Sequence, residues 1–168
     1  MECSIRKWKT EDSTTLAAIL NNKKILDNLR DLPFPYTEKD AEDFIHSTLQ
    51  ADENKTYVFA ITVEDIPVGS IGVYRKDNIH SQTAELGYYI AENFWGRGVG
   101  TSAIKQTCKY IFEHTDIIRI FAEPFAYNTA SCRILEKNGF ICEGVLRSNA
   151  VKNGQIIDMK MYSLIRPY

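Results

Sequence analysis

The run Trp95-Gly96-Arg97-Gly98-Val99-Gly100-Thr101 constrains the fold of this chain more than any other. Three glycines at two-residue spacing break a strand, because each tolerates positive φ and none offers a side chain to pack. A helical stripe begins directly after them: Ile104, Cys108, Ile111 and Phe112 recur with helical period between Gly98 and His114. A strand-type run, Ser81 to Ile90, precedes the glycines, and a short apolar run, Ile117 to Glu123, follows the helix. Strand, helix and strand in that order form a crossover, which makes the two strands a parallel pair.

The segments on either side read differently. Ser4 to Trp8 is expected as a first strand, and Thr10 as the N-cap of a helix that carries Leu16, Ile19 and Leu20. Two prolines exclude regular helix from Leu32-Pro33-Phe34-Pro35-Tyr36. Thr37, with Asp40 three residues on, starts a second helix whose buried stripe is Ala41, Phe44, Ile45 and Leu49. Thr56 to Val63, Val68 to Tyr74 and Ser81 to Ile90 form an antiparallel meander, with Glu64 to Pro67 as a turn and Ile61, Ile71 and Ile90 inside. A further helix spans about Asn128 to Asn138 and stops at Gly139. Phe140 to Val151 and Gln155 to Ile165 are strands joined by Asn153-Gly154, a hairpin signal. The expectation is one domain over residues 1–168. Its fold class is mixed α/β: a mostly antiparallel sheet with one central parallel crossover and a C-terminal hairpin.

Charge and cysteine usage narrow the function. Twenty basic against 22 acidic side chains give a net charge of -2, which argues against a broad nucleic-acid surface. No apolar run approaches the roughly 20 residues that cross a bilayer. The first residues hold no apolar stretch of leader type, so a reducing cytoplasm is the default compartment. Cys3, Cys108, Cys132 and Cys142 form no Cys-x-x-Cys pair, and His46, His80 and His114 are scattered, so no metal is expected.

The glycine run has a ligand chemistry of its own. The first N–H groups of a helix lack internal partners, and the helix dipole is positive at that end. With glycines letting the backbone approach, this makes a site for phosphate oxygens, to which Arg97 would add a charge-assisted bond. A P-loop is excluded, because its Lys-[Ser/Thr] ending is absent. A dinucleotide fingerprint is excluded by the spacing and by the antiparallel strands that precede the loop.

The order of strand, WGRGVGT, helix and strand, followed by Asn128-x-x-Ser131 and Leu135-Glu136-Lys137-Asn138-Gly139-Phe140, resembles the Gcn5-related N-acetyltransferases. It is most similar to the branch that includes the ribosomal-protein acetyltransferases, with Gly87-Tyr88-Tyr89-Ile90 as a further counterpart. The wider family prefers Gln or Arg where Trp95 stands; Trp is common in this branch. The resemblance implies that the amides of Arg97, Gly98, Val99, Gly100 and Thr101 hold the pyrophosphate of acetyl-CoA. It implies that backbone groups near Tyr89 and Ile90 pair with the pantetheine arm at a bulge in the fourth strand. Asn128 would contact the cofactor near the thioester, and the amine would attack acetyl-CoA directly.

That reaction must deprotonate an ammonium of pKa about 10.4, stabilise an oxyanion and satisfy a leaving thiolate. Glu85 is the candidate base, against a plain role on the solvated face of a strand. Ser131 matches the branch position that can bond the sulfur, against a role as an ordinary first-turn serine. Asn128 also reads as a helix N-cap, and the two roles are compatible. Tyr127 and Tyr162 are alternative proton donors between which the sequence does not choose. Cys132 reads as a small buried residue, and Trp8 and Trp95 as core. Leu32 to Tyr36 would wall the acceptor site, with Asn149 and Gly154 to Asp158 as a second border. Acidic Asp31, Glu38, Asp40, Glu42 and Asp43 would favour a polyamine-like acceptor, though helix starts commonly carry acids. Met159, Met161 and Leu164 are the residues on which a homodimer would rest. The acceptor is either a protein N-terminus or a small amine. The competing function is a non-catalytic acyl-CoA-binding module on the same fold. Gly98→Asp is expected to abolish acetyl-CoA binding in calorimetry, by placing bulk and negative charge at the pyrophosphate. Unchanged affinity would remove the loop assignment.

Overall fold

The structure is a computed structural model and describes residues 1–167. Seven strands form one sheet in the order β1-β2-β3-β4-β5-β7-β6. They are β1 (Ser4–Arg6), β2 (Thr56–Val63), β3 (Ile66–Arg75), β4 (Thr83–Ile90), β5 (Arg119–Ala122), β6 (Ile141–Lys152) and β7 (Gln155–Ile165). Five helices accompany them: α1 (Ser13–Leu20), α2 (Lys23–Leu26), α3 (Glu38–Gln50), α4 (Val99–His114) and α5 (Thr129–Lys137). Every strand pair is antiparallel except β4 with β5, so the mixed sheet with one parallel crossover is as the sequence implies.

The sheet has a core on each face. Successive strand residues point to opposite faces. Ile61 accordingly packs in the cluster with Val99, Ile104, Ile111 and Leu135 of α4 and α5. Its neighbour Ala60 packs in the other cluster, with Leu16, Leu20, Tyr36 and Ile45 of α1, α3 and the segment between them. In β4, Ala84, Leu86, Tyr88 and Ile90 serve the first cluster, while Tyr89 serves the second.

Turn and cap chemistry set the boundaries. Thr37 accepts from the Asp40 N–H, and the Asp40 carboxylate accepts from the Thr37 N–H at 2.8 Å, so the capping box at α3 forms as expected. Asn153 and Gly154 both take positive φ, as a two-residue hairpin turn requires. Glu64 and Asp65 do the same, so the β2–β3 turn is two residues and β3 begins at Ile66, earlier than the expected Val68. Gly139, at φ 82°, ends α5.

Thr10 is not a helix cap. It opens a 3-10 turn, Thr10–Asp12, and α1 starts at Ser13 with Asp12 as its N-cap residue. The reason is Asp12, which is buried and takes two hydrogen bonds from the Arg6 guanidinium (2.8 and 3.1 Å) and one from the Lys9 N–H at 2.9 Å. Leu49 is 50% exposed, because the α3 stripe meets the sheet only through Ala41, Phe44 and Ile45. Met159 is buried, and Met161 and Leu164 are half-buried; the exposed apolar residues of the last hairpin include Ile141, Val145, Val151 and Ile156.

Arg6 also bonds Asp65, so one guanidinium ties β1 to the 3-10 turn and to the β2–β3 hairpin. Burial works against the charged form of Asp12. The bonds from Arg6 and Lys9 outweigh it and hold the carboxyl below its ordinary 3.8. A carboxyl depressed in the folded state adds stability above its unfolded pKa and loses it as pH falls through the folded value. Asp12→Asn is expected to cost about 3 kcal/mol at pH 7, with the gap to wild type closing below about pH 4. Urea unfolding at both pH values checks this; a gap independent of pH would contradict it.

Candidate active site

The β4–β5 pairing is short. It runs only through Thr83↔Arg119, Ala84↔Ile120 and Glu85↔Phe121; β5, paired on its other edge with β7, ends at Ala122, and β4 continues to Ile90 without it. The β3–β4 register is continuous from Arg75↔Ala84 to Gly69↔Ile90, so the expected bulge in β4 is absent and the strands part without one. The Ala91 N–H reaches Val68 of β3 and the Lys76 N–H reaches the Thr83 carbonyl. By the two-residue alternation of an antiparallel ladder, the backbone groups of Tyr89 face β3, and those of Tyr88 and Ile90 face the gap. The Ile90 carbonyl there accepts from Trp95 Nε1 at 2.7 Å. Trp95 is therefore not core: it is 46% exposed and fixes the exit of β4 toward the glycine run.

The glycine run forms the turn into α4. Gly96 and Gly98 have φ of 71° and 80°, and Gly98 is the N-cap residue. Gly100 serves packing instead, since a Cβ there would stand 3.3 Å from the Ile134 methyl and 3.6 Å from the Tyr88 ring. The first intrahelical bond is Ser102 N–H to the Gly98 carbonyl, which leaves the amides of Val99, Gly100 and Thr101 at the open helix end. The Arg97 guanidinium lies against the Phe94 ring, 5.9 Å from its centroid.

Two cavities meet at the gap. One, of about 340 Å³, runs from the glycine turn to α5 and is lined by Gly98, Val99, Gly100, Thr101, Tyr89, Ile90, Asn128 and Ser131, but not by Arg97. The other, of about 580 Å³, lies under the segment after α2 and is lined by Glu85, Gly87, Tyr74 and Phe44 among others. Asn28, Leu29, Tyr88, Tyr89, Asn128 and Ser131 belong to both. A larger cavity, of about 760 Å³ beside β2 and the end of α4, holds none of the expected site residues.

At the junction the Ser131 and Tyr88 hydroxyls are 3.0 Å apart. Burial pushes the Tyr88 phenol up to about 12, against the opposing pull of Ser131. The Asn128 side chain accepts from the Ser131 N–H at 3.2 Å, so Asn128 is the N-cap of α5 and faces both cavities at once. Neither tyrosine singled out by sequence is here. Tyr162 is buried and donates to Glu136 at 2.8 Å, and Tyr127 donates to the Asp27 carbonyl at 2.7 Å. Tyr88 escapes a sequence reading because its partner is 43 residues away. Lys24 and Lys137, cations on the wall of the smaller cavity, were equally unmarked by any motif. Cys132 is buried and lines neither cavity.

Glu85 lines only the 580 Å³ cavity, 16% exposed, paired with Arg30 and with Lys76 at 3.1 Å. Glu123 is 3.8 Å from the same guanidinium. Of the acids in and before α3, only Asp31 lines this cavity; Asp40 is in the capping box and Asp43 pairs with Lys39. Of Leu32 to Tyr36 only Leu32 reaches it, because Tyr36 is buried and Phe34 lies under Lys23. The tip of the last hairpin meets the segment after α2: Lys152 donates to the Arg30 carbonyl and Asn153 to Asp27, both at 3.3 Å. Met159, rather than Gly154 to Asp158, lines the cavity wall.

Residues 3–141 match a family model described as an acetyltransferase (GNAT) domain. The uncharacterized N-acetyltransferase p20 of Bacillus licheniformis is 26% identical over 167 residues, 97% of this chain and 92% of that one. The ribosomal-protein-S5-alanine acetyltransferase of Vibrio fischeri has the same fold, with a TM-score of 0.88 at 19% identity over 99% of this chain and 94% of that one. So has the spermidine N-acetyltransferase of Vibrio cholerae, solved with CoA and spermine, with a TM-score of 0.84 at 20% identity over 98% and 95%.

Proposed function

The chain belongs to the GNAT acetyltransferase family, and from that premise we propose that it moves an acetyl group from acetyl-CoA directly to a primary amine, either a protein N-terminus or a small molecule. The observation that carries the reading is the meeting of two cavities at Tyr88, Asn128 and Ser131. The smaller takes the cofactor. Its pyrophosphate lies on the amides of Val99, Gly100 and Thr101, with Lys24 and Lys137 as the nearby cations. Its pantetheine arm pairs with the Tyr88 and Ile90 backbone, which puts the thioester at Ser131. The larger cavity brings the amine from the other face of the sheet.

Three groups then act. Glu85 takes the ammonium proton, through a water where needed. The Tyr88 or Ile90 N–H, facing the gap, polarises the thioester oxygen as the amine attacks. Ser131 donates a hydrogen bond to the sulfur as the carbon–sulfur bond breaks, and the leaving thiolate takes the second proton, shed by the attacking nitrogen as the amide forms. Burial raises the Tyr88 phenol and disfavours its loss of a proton. Tyr88 therefore stays protonated and donates a hydrogen bond to Ser131 Oγ, which leaves the serine O–H free for the sulfur.

The carboxylates Glu85, Glu123 and Asp31 against the single Arg30 on the wall support a cationic acceptor. Spermidine, in the name of the Vibrio cholerae enzyme, and a ribosomal protein, in the name of the Vibrio fischeri enzyme, are acceptors of the two kinds. The site of action is taken to be the cytoplasm. Among the described residues no helix is long and apolar enough to cross a membrane. One observation favours the non-catalytic alternative: Glu85 is already held by two cations.

Thiol release from acetyl-CoA over a mixed amine panel separates the two. Release with at least one amine, a rate loss in Ser131→Ala, and a Glu85→Gln loss greatest below the amine's pKa are expected. Tight binding without release from any amine supports the non-catalytic module instead. A homodimer formed on the outer edge of β6 completes the proposal, supported by the exposed Ile141, Val145 and Val151. Val145→Glu is expected to shift sedimentation from dimer to monomer; a wild-type monomer would dismiss it.

A further inference from the structure

Gly87 is a glycine without a backbone reason. It lies inside β4, where glycine costs stability relative to alanine. Its φ is not among the positive ones, which fall at Gly96, Gly98, Gly139, Gly144 and Gly154. Nor does packing demand it: a Cβ at Gly87 would meet nothing within 4 Å. Its register partner on β3 is Gly72, and the contrast between the two is informative. A Cβ at Gly72 would stand 2.6 Å from the Tyr74 hydroxyl, so the Tyr74 ring fills that position. Above Gly87 the space is left open, and it belongs to the acceptor-side cavity.

The surroundings of that space are specific. Glu85 and Tyr89, two residues either way, share the face of the strand with Gly87. Tyr74 and Phe44 complete the walls. The next residue, Tyr88, points to the opposite face and marks the junction with Ser131. An amine reaching that junction from the acceptor side brings its own α-carbon across Gly87.

Resting on the acetyl-transfer reading above, we infer that the open space over Gly87 receives the substituent on the α-carbon of the acceptor amine, so that Gly87 sets how much branching beside the nitrogen the enzyme accepts. The walls are mainly aromatic, so the favoured substituent is small and apolar. Alanine at this position takes up part of the space and valine more of it.

The test compares wild type, Gly87→Ala and Gly87→Val on matched amines with and without an α-substituent: glycinamide against valinamide, and n-butylamine against sec-butylamine. The branched-to-unbranched ratio of kcat/KM is expected to fall by about tenfold in Gly87→Val, the scale on which a pocket senses a methylene or two, and by less in Gly87→Ala. Acetyl-CoA affinity and Tm of Gly87→Ala stay at or above wild-type values, because the added Cβ meets no protein atom within 4 Å. An unchanged ratio, or an equal loss on branched and unbranched amines, overturns the inference while leaving acetyl transfer in place. A wild-type enzyme that acetylates no amine overturns both.

Discussion

The site depends on the early end of the β4–β5 ladder. Three residue pairs hold the strands together, and beyond Glu85 the edge of β4 loses its neighbour. Backbone N–H and C=O groups inside a protein need partners, so an open gap in the middle of a sheet is costly unless something enters it. The chain fills part of that need itself, through the Trp95 indole on the Ile90 carbonyl. The remaining groups, those of Tyr88 and the Ile90 N–H, face a cavity that continues to the helix end at Gly98. The same parting opens a passage between the two faces of the sheet, which is why cofactor-side and acceptor-side cavities share lining residues.

Electrostatics divide the passage. The smaller cavity offers helix amides and lysines, which suit the phosphates proposed to lie there. Around the larger one Glu85, Glu123 and Asp31 outnumber Arg30 and Lys76, which suits the ammonium proposed to enter it. Arg30 sits on a segment that the tip of the last hairpin also holds, through Lys152 and Asn153. The carboxylate at the end of the β4–β5 ladder is thus linked to residues from both ends of the chain.

What the sequence made legible was local. Thr56 to Val63 and Gln155 to Ile165 are strands with the expected bounds, because β-branched and aromatic runs end at turn residues there. The Thr37 box and the Asn153-Gly154 turn follow from side chains a few residues apart. Thr10 misled because the deciding residue, Asp12, takes its conformation from Arg6 in another element. The short helix α2 carries no periodic stripe, so no signal marked it. For the site, the glycine run and Asn128 were legible as helix starts. Tyr88 was not, since strand alternation alone does not say which tyrosine finds a serine on a distant helix. Trp95 was misassigned for a related reason: its indole N–H serves a strand end, and hydrophobicity alone argued for burial.

The thioester is proposed to lie at the junction, with its sulfur at Ser131 and its carbonyl reached from the side of Glu85. A crystal structure with acetyl-CoA bound decides this. The pyrophosphate is expected on the amides of Val99 to Thr101, the pantetheine arm along Tyr88 and Ile90, and the sulfur within hydrogen-bond reach of Ser131 Oγ. A cofactor whose arm leaves the β4–β5 gap, or whose sulfur ends away from Ser131 and Tyr88, would contradict it.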